Sequence, residues 1–294
     1  MAVAEKRDKM IHLSAMPFEQ LDIWPTGSVE RIILQRMNED RIIYSYQLLE
    51  ELSFELQMRK QIMLSARAMN QSHVQFEPFE KSRCNPSYWE LMNTGGFQLK
   101  PGVRPSDAIQ DIYTNSSQYA FECATAIIMI YYHAALNRLD EPIFNQIFQN
   151  IYLYSWHFDP DLGLNTIYSE HLIPGDVVYF NNPDFHLETP WWRGGNAVVL
   201  EDGMYYSHGL GIRTAQQMID ELNASRNPGS THSAYMENLV TRPSFKGLAS
   251  FSMLPRGYMA YKNQLSVIHH NECSIPCGRY LYYLNILYNQ WNRL

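Results

Sequence analysis

The run from Ala124 to Leu136 is the most apolar part of the 294-residue chain, and it limits the possible folds strongly. Its apolar side chains cover nearly the whole circumference of a helix, which predicts a helix from Tyr119 to Leu136 that is buried on most sides. The run is too short to cross a bilayer, so this helix needs a protein core around it. With 46% hydrophobic residues, the chain is apolar enough to provide such a core and too apolar to be disordered.

The other periodic segments place helices mainly in the first half of the chain and strands in the second half. Apolar residues at helical spacing predict helices from Ser45 to about Met69, Ser106 to Ile112, Glu141 to Tyr154 and Gln216 to Asn223. Strands are predicted at Val177 to Phe180 and, as a hairpin around the two-residue turn Asp202-Gly203, at Asn196 to Leu200 and Met204 to His208. Helices followed by strands are typical of an α+β fold.

Charge and cysteine content narrow the classes of function. A net charge of −7 disfavours a protein that binds nucleic acid through phosphate contacts. Charged residues interrupt the N-terminus before any apolar segment of signal-peptide length, so we expect a cytoplasmic protein with free thiols. The spacing of His269, His270, Cys273 and Cys277 permits a metal site, but adjacent histidines rarely bind one ion, and we expect no metal there.

Cys123 is the first candidate for a nucleophile. It is predicted about a turn inside the buried helix, where the helix dipole and the free amide groups stabilise a thiolate. The alternative is a small core residue, which is the more common role of a lone cysteine on an apolar helix. Glu122 favours the chemical interpretation, because a solvated surface does not explain a charge in this apolar stretch.

His208 ends the second strand of the predicted hairpin, and the two-residue turn decides which residues share its face. With that turn, Ala197 pairs with His208, and position 195 becomes a diagonal neighbour of His208 on the same face of the sheet. Asn196 then faces the opposite side. A histidine at the end of a strand is more often structural, so a catalytic and a structural role both stay open.

Tryptophans near these candidates indicate either the wall of a groove or an anchor in the core. Trp191 and Trp192 are adjacent in the sequence, and two adjacent tryptophans are costly to expose. Trp156 raises the same choice. The residues alone do not decide between the two interpretations.

Two specific blocks of sequence carry a resemblance to a known family. They are Phe-Glu-Cys-Ala-Thr-Ala at residues 121–126 and Ser-His-Gly-Leu-Gly-Ile at residues 207–212, with Trp-Arg-Gly-Gly-Asn at residues 192–196 between them. From about residue 40 to 245 the chain resembles the spore-coat protein-glutamine γ-glutamyltransferases, which are small calcium-independent transglutaminases. The resemblance implies a cysteine-peptidase-like core of the α+β class, with the nucleophile at the N-terminus of a buried helix that packs on an antiparallel sheet.

The resemblance also implies a reaction and the residues that perform it. A cysteine thiolate attacks the side-chain carboxamide of a protein glutamine, ammonia leaves, and a lysine amine then attacks the thioester to give an ε-(γ-glutamyl)lysine crosslink. The implied partners are proteins that supply these glutamine and lysine side chains, with no nucleic acid, no membrane, no cofactor and no metal. The matching catalytic residues are Cys123, Glu122 and His208, and the matching substrate-binding residues are Trp192, Trp156, Asn196 and Tyr206.

One position departs from the family. The main catalytic partner of the family's cysteine is a Glu in the stretch Trp-Arg-Gly-Glu-Asn, and this chain has Gly195 there. Loss of a general acid or base costs about 10²–10⁴-fold in rate. The chain is then a weakly active or inactive relative with a structural role, an enzyme in which another acid such as Glu122 acts with His208, or an enzyme that this substitution traps or disarms. A cysteine amidase or peptidase on the same core is a separate alternative function. If the missing acid limits the rate, Gly195→Glu is expected to increase it.

The resemblance divides the chain into three parts. We expect an N-terminal extension at residues 1–40, a catalytic domain at 41–245 and a C-terminal extension at 246–294 that packs on the core. The expected location is the cytoplasm of the sporulating cell and later the spore coat, where the enzyme would crosslink coat proteins.

Overall fold

The computed structural model describes residues 10–253, 267–270, 273–276, 282, 284–286 and 288. Within these residues, helices and strands alternate along the whole sequence, which is a mixed α/β architecture. The predicted combination of helices with an antiparallel sheet is confirmed at this level, although short strands also occur throughout the first half. No helix in the described part of the chain has the length and apolarity needed to cross a membrane.

The helices differ in how much of their surface is buried. They are α1 Val29–Glu39, α2 Leu49–Gln71, α3 Pro105–Thr114, α4 Cys123–Leu136, α5 Glu141–Ile147, α6 Ala215–Ala224 and α7 Phe245–Ser252. Every residue of α4 from Ala124 to Ala135 is buried. This confirms the prediction of a helix that is surrounded by the core.

Short strands in the first half form three small sheets. Strands β1 Ile11–Leu13, β2 Met16–Pro17 and β3 Tyr44–Tyr46 form the first, β4 Gln75–Phe76 and β7 Ala120–Phe121 the second, and β5 Trp89–Leu91, β6 Phe97–Leu99 and β8 Tyr152–Leu153 the third. The pairing of β4 with β7 is parallel, and it lies directly before α4. This pair fixes the direction in which the chain enters the buried helix.

An antiparallel sheet of seven strands forms the second half of the fold. Its strands are β9 Asn165–Tyr168, β10 Val177–Asn181, β11 Gly194–Val199, β12 Tyr205–Ser207, β13 Gly211–Arg213, β14 Tyr235–Met236 and β15 Leu239–Arg242. Their order is β13-β12-β11-β10-β15-β9, and β14 also pairs with β10. Strands β16 Val267–His270 and β17 Cys273–Pro276 form a separate antiparallel pair.

Two hydrophobic clusters lie on the two faces of the large sheet. The larger cluster is formed with α2 and α4 and includes Val198 and Tyr206 of the sheet. The smaller cluster is formed with α6 and includes Ala197 and Val199 of the sheet and Met218 of the helix. Successive residues of β11 thus alternate between the clusters, so a shift of one position moves a side chain to the other face.

Two predicted helix boundaries are wrong because short strands pair where a helix was expected. The helix predicted from Ser45 begins at Leu49, since Ser45 belongs to β3, which pairs with β1. The helix predicted from Glu141 to Tyr154 ends at Ile147, since the residues of β8 pair with β6. Hydrogen bonds to distant strands take precedence there over local helical spacing.

The predicted division into three parts is not visible as separate cores. Ile11, Ile33 and Leu34, from the expected N-terminal extension, belong to the main hydrophobic cluster. Helix α7, just beyond residue 245, packs on α2. Most of the expected C-terminal extension, including the side chains of the His269–Cys277 motif, lies outside the described residues, so this division stays a prediction.

Candidate active site

Cys123 is the first residue of α4, and the hydrogen bonds of Glu122 explain why the helix begins there. Glu122 precedes the helix in an extended conformation, and its carboxylate accepts hydrogen bonds from the backbone amides of Ala124 and Thr125, each 2.6 Å long. These are amides that have no partner inside the helix. The helix predicted from Tyr119 therefore begins later, and Cys123 lies in its first turn, at the positive end of the helix dipole.

Glu122 contacts the candidate nucleophile as well as the helix. The Thr125 hydroxyl donates a further hydrogen bond of 2.7 Å to its carboxylate. Burial raises the pKa of Glu122, while hydrogen bonds from Thr125, from the amide of Ala124 and from the Cys123 thiol oppose this rise without cancelling it. A carboxylate with a raised pKa next to a thiol is suited to accept the thiol proton.

The hairpin of β11 and β12 has a different register from the predicted one. Val198 pairs with Tyr206, and the amide of Leu200 donates a 2.9 Å hydrogen bond to the carbonyl of Met204. The turn between the strands therefore holds residues 201–203, one more than the predicted Asp202-Gly203 turn. Every side chain of β11 consequently faces the opposite side from the one predicted.

The corrected register exchanges the faces of Gly195 and Asn196. Asn196 shares a face with Tyr206 and His208, whereas a Cβ added at Gly195 would lie 3.0 Å from Ser207 Oγ, on the other face. The prediction that position 195 shares the face of His208, and that Asn196 faces away, is wrong. The three-residue turn is the physical reason.

Asn196 is the side chain that the sheet brings to the sulfur. Its Nδ2 donates to Cys123 Sγ over 3.7 Å. Asn196 is only 4% exposed, and its Oδ1 has no hydrogen-bond partner among the described residues. Cys123 is partly exposed.

His208 lies beside β7, the strand that precedes Cys123, and the backbone of β7 and β4 holds its imidazole in place. Its Nε2 is 3.1 Å from the carbonyl oxygen of Phe121 and 3.2 Å from that of Gln75. Since carbonyls only accept, Nε2 carries the hydrogen, and Nδ1 is left to accept from the Tyr206 hydroxyl at 3.5 Å. Burial lowers the pKa of His208 to about 4, despite the opposing effect of the two carbonyls, so the imidazole is neutral at pH 7.

Aromatic rings extend from His208 toward the surface. Phe76 and Phe121 flank the imidazole, with ring centroids 5.8 Å and 5.0 Å away, and Trp192 stacks on Phe76 at 6.3 Å. Trp192 is partly exposed. Trp156, the other tryptophan that the resemblance implies for substrate binding, is 3% exposed and packs in the main core.

The two adjacent glycines of β11 differ in the space around them. A Cβ at Gly194 would lie 2.3 Å from the carbonyl oxygen of Phe180 and 2.5 Å from the Tyr179 hydroxyl, so only glycine fits there. At Gly195 a Cβ would contact only Ser207 Oγ, a buried hydroxyl without a hydrogen-bond partner among the described residues. A Cβ at position 195 therefore requires only a small movement of Ser207.

The described structure brings most of the predicted site residues together. Cys123, Glu122 and Asn196 meet at the sulfur, and His208 with Tyr206 lies next to them through the carbonyl of Phe121. A thiol at a helix N-terminus, with a proton acceptor and an amide donor beside it, can perform nucleophilic acyl transfer. Phe76 and Thr125 were missed, because their contacts with the site depend on residues far away in the sequence or on hydrogen bonds that no motif records.

Comparisons with known proteins show the family to which the chain belongs. Residues 10–252 match the family model described as protein-glutamine gamma-glutamyltransferase. Proteins of that name from Halalkalibacterium halodurans and Bacillus mycoides are 51% identical over 275 residues (94% of this chain, 97% of that protein) and 40% identical over 236 residues (80% and 86%). The structure of a transglutaminase from Geobacillus stearothermophilus without its C-terminal extension is similar with a TM-score of 0.68 and 45% identity, over 71% of this chain and 100% of that chain. The chain therefore belongs to the protein-glutamine gamma-glutamyltransferase family, as its motifs predict.

Proposed function

We propose that the chain is a transglutaminase that joins protein glutamine and lysine side chains through a thioester on Cys123. The observation that carries this proposal is the environment of the sulfur. It lies in the first residue of α4, beside the Glu122 carboxylate and 3.7 Å from Asn196 Nδ2. Membership of the family supports the same acyl-transfer reaction.

Glu122 supplies the proton transfers of this reaction. It takes the thiol proton while the sulfur attacks the carboxamide carbon of glutamine, a C–S bond forms, the C–N bond breaks, and the same proton leaves with ammonia. In the second half, Glu122 accepts a proton from the lysine amine as its nitrogen attacks the thioester. That proton returns to the departing sulfur, so the resting thiol is restored.

His208 has a positioning role in this mechanism. Its Nε2 hydrogen is directed at the backbone carbonyls of Phe121 and Gln75, which belong to β7 and β4. The neutral imidazole thus joins the two strands that lead into Glu122 and Cys123. The aromatic rings of Phe76 and Trp192 beside it limit the access of water, which competes with lysine for the thioester.

The biological setting that we propose follows the sequence resemblance. We also propose a cysteine-peptidase-like core, which is supported by a cysteine that begins a helix next to an antiparallel sheet. The proposed substrates are spore-coat proteins, the proposed location is the cytoplasm of the sporulating cell and then the coat, and neither nucleic acid nor membrane takes part. Localisation of a tagged chain during sporulation tests this setting.

Incorporation of a labelled primary amine into a glutamine-containing protein tests the activity. We expect incorporation by the wild type and none above background by Cys123→Ala. Cys84→Ala is the matched control and should retain full activity, because burial raises the pKa of the Cys84 thiol to about 11, against the weaker opposing effect of Lys100. Equal incorporation by wild type and Cys123→Ala would remove Cys123 from the mechanism.

Two other functions are compatible with the same residues and give different results. A cysteine amidase or peptidase would release ammonia or cleave peptides without incorporating the amine. An inactive coat-binding relative, which Gly195 favours, would bind spore-coat extract equally well as wild type and as Cys123→Ala and would release no ammonia.

A further inference from the structure

Asn196 is a buried polar side chain that the sheet does not need. The main chain of β11 is held by pairing with β10, and the Asn196 side chain takes no part in that pairing. Its Oδ1 has no partner among the described residues, and its Nδ2 donates to Cys123 Sγ. A buried amide with an unpaired oxygen lowers stability, so its presence at the sulfur calls for a chemical explanation.

Three other donors in this region are already used by the fold. The amides of Ala124 and Thr125 donate to the Glu122 carboxylate, which begins the helix. The Nε2 hydrogen of His208 is directed at the backbone carbonyls of Gln75 and Phe121. None of these groups can turn toward a new negative charge without losing a structural hydrogen bond, whereas Asn196 Nδ2 already points at the reacting atom.

We propose that Asn196 is a further catalytic residue, which stabilises the negative charge that forms when Cys123 attacks an acyl carbon. This deepens the acyl-transfer function proposed above and rests on it for the identity of the natural acyl donor. In the resting site, Nδ2 donates to the sulfur. When the C–S bond forms, the carbonyl π-electrons move onto oxygen, the thiol proton moves to Glu122, and Nδ2 donates to the new oxyanion.

The collapse of this intermediate completes the proton balance. The electrons return from oxygen to the carbonyl, the C–N bond breaks, and Glu122 gives its proton to the departing nitrogen. Asn196 gains and loses no proton in this sequence. Its contribution is a fixed donor that costs no rearrangement at the moment of attack.

Two reagents that react with the same sulfur separate oxyanion stabilisation from simple positioning of the thiol. Acylation by p-nitrophenyl acetate passes through an oxyanion, while alkylation by iodoacetamide is a direct displacement at carbon without one. For Asn196→Ala, we expect acylation to slow by about 10²–10³-fold. We expect alkylation, measured at a pH where its rate no longer rises, to change by less than about threefold, since no oxyanion forms.

Two more variants make the result decisive. Asn196→Asp keeps the size of the side chain but replaces the donor with a carboxylate oxygen, and we expect at least as large a loss of acylation. Ser207→Ala removes another buried, unpartnered polar atom on the opposite face of the same hairpin, and we expect no change in either rate. Melting temperatures of all variants confirm that each is folded.

The outcomes test the role of Asn196 separately from the transglutaminase activity of the chain. Equal loss of acylation and alkylation, or no loss of acylation, would overturn the role of Asn196 even if the wild type incorporates amines. Selective loss of acylation would support that role even if the wild type only hydrolyses its substrates. The amine-incorporation assay alone decides whether the chain is a transferase.

Discussion

Glu122 explains, at the scale of single residues, how the site keeps a carboxylate although position 195 is glycine. Its oxygens hold the first amides of α4, and it also accepts the Cys123 thiol hydrogen bond. Structural and chemical roles therefore coincide in one side chain. A substitution that keeps part of the helix cap but cannot accept a proton separates the two roles.

Glu122→Gln is that substitution, because its single carboxamide oxygen still accepts from the amide and hydroxyl of Thr125 but cannot take up the thiol proton. We expect the rate of amine incorporation to fall by about 10²–10⁴-fold. The Ala124 amide loses its acceptor, so the melting temperature should fall, but by less than that of Glu122→Ala. Glu122→Ala is the control, since it also removes the helix cap and should destabilise the fold by about 1 kcal/mol.

The variant Gly195→Glu tests whether Glu122, rather than a side chain at position 195, is the main acid of the site. The new side chain would begin 3.0 Å from Ser207 Oγ, on the face opposite to Asn196. The faster rate expected from the sequence loses its geometric support, and we expect a change of less than about tenfold. A larger increase would show that position 195 reaches the sulfur and that Glu122 is not the main acid.

The catalytic residues are predictable from sequence to different degrees. Cys123 and Glu122 are conspicuous because a thiol and a charge interrupt an apolar run. The face of Asn196 is not predictable with the same ease, because one additional residue in the turn reverses the alternation of the whole strand. Phe76 reaches His208 only through the parallel pairing of β4 with β7, which no local pattern indicates.

At the scale of elements, the start of α4 depends on a contact with the segment after β8. The Thr125 hydroxyl donates to Glu122 over 2.7 Å and accepts from the amide of Ser155 over 2.8 Å. Ser155 has a φ of 50°, a conformation that few non-glycine residues adopt. This hydrogen bond therefore helps to hold a strained turn against the helix.

Thr125→Val keeps the shape of the side chain and removes both hydrogen bonds. We expect the free energy of unfolding to fall by about 1–3 kcal/mol, because the Ser155 amide loses its acceptor in a buried position. Urea unfolding monitored by circular dichroism measures this change. Thr125→Ser retains the hydroxyl and should stay within about 1 kcal/mol of wild type. Equal destabilisation by the two variants would assign the effect to the methyl group instead.

The sequence predicts the existence of several helices, but it predicts neither α1 nor α7, and it does not predict where the elements end. Helical spacing predicts α2, α3, α4 and α6 because each buries a continuous apolar surface. The starts of α2 and α4 and the end of α5 are decided by β3, β7 and β8, which are strands of two or three residues with partners distant in the sequence. Such short strands have too few residues to show the alternation of apolar and polar side chains that identifies a strand in a sequence.

At the scale of the whole molecule, a buried ionic network joins the helical layer to the sheet. Arg59 of α2 is 0% exposed and contacts Asp176 at 2.8 Å and Glu55 at 2.9 Å, while Arg242 of β15 contacts Asp176 at 2.9 Å. These carboxylates raise the pKa of Arg59 against the effect of its burial. Because α4 packs on α2, the network also fixes Cys123 relative to the hairpin. Sequence spacing indicates the pair of Glu55 and Arg59, which are four residues apart on α2, but not Asp176, which is far from Arg59 in the chain.

Buried histidines predict an acid-sensitive fold. Burial lowers the pKa of His133 and His208 from 6.5 to about 4. Between these values the unfolded chain binds more protons than the folded protein, so stability is greatest above pH 6.5 and falls as the pH decreases toward 4. Each histidine accounts for up to about 3 kcal/mol of this loss.

Urea unfolding at several pH values measures this dependence, with His133→Asn and His208→Gln as comparisons. Each variant removes one titrating group, so its stability should fall less steeply with decreasing pH than that of the wild type. If the free energy of unfolding falls equally steeply with decreasing pH in the wild type and in both variants, the acid sensitivity comes from carboxylates rather than from these histidines.

The most direct test of the central claim is the mass of the enzyme after brief reaction with a glutamine peptide in the absence of amine. The reaction is stopped in acid, and the chain is digested and analysed by mass spectrometry. The account predicts an adduct with the mass of the peptide less one ammonia on the fragment that contains Cys123, with Cys84 unmodified. Turnover without that adduct, or the adduct on Cys84 instead, would contradict it.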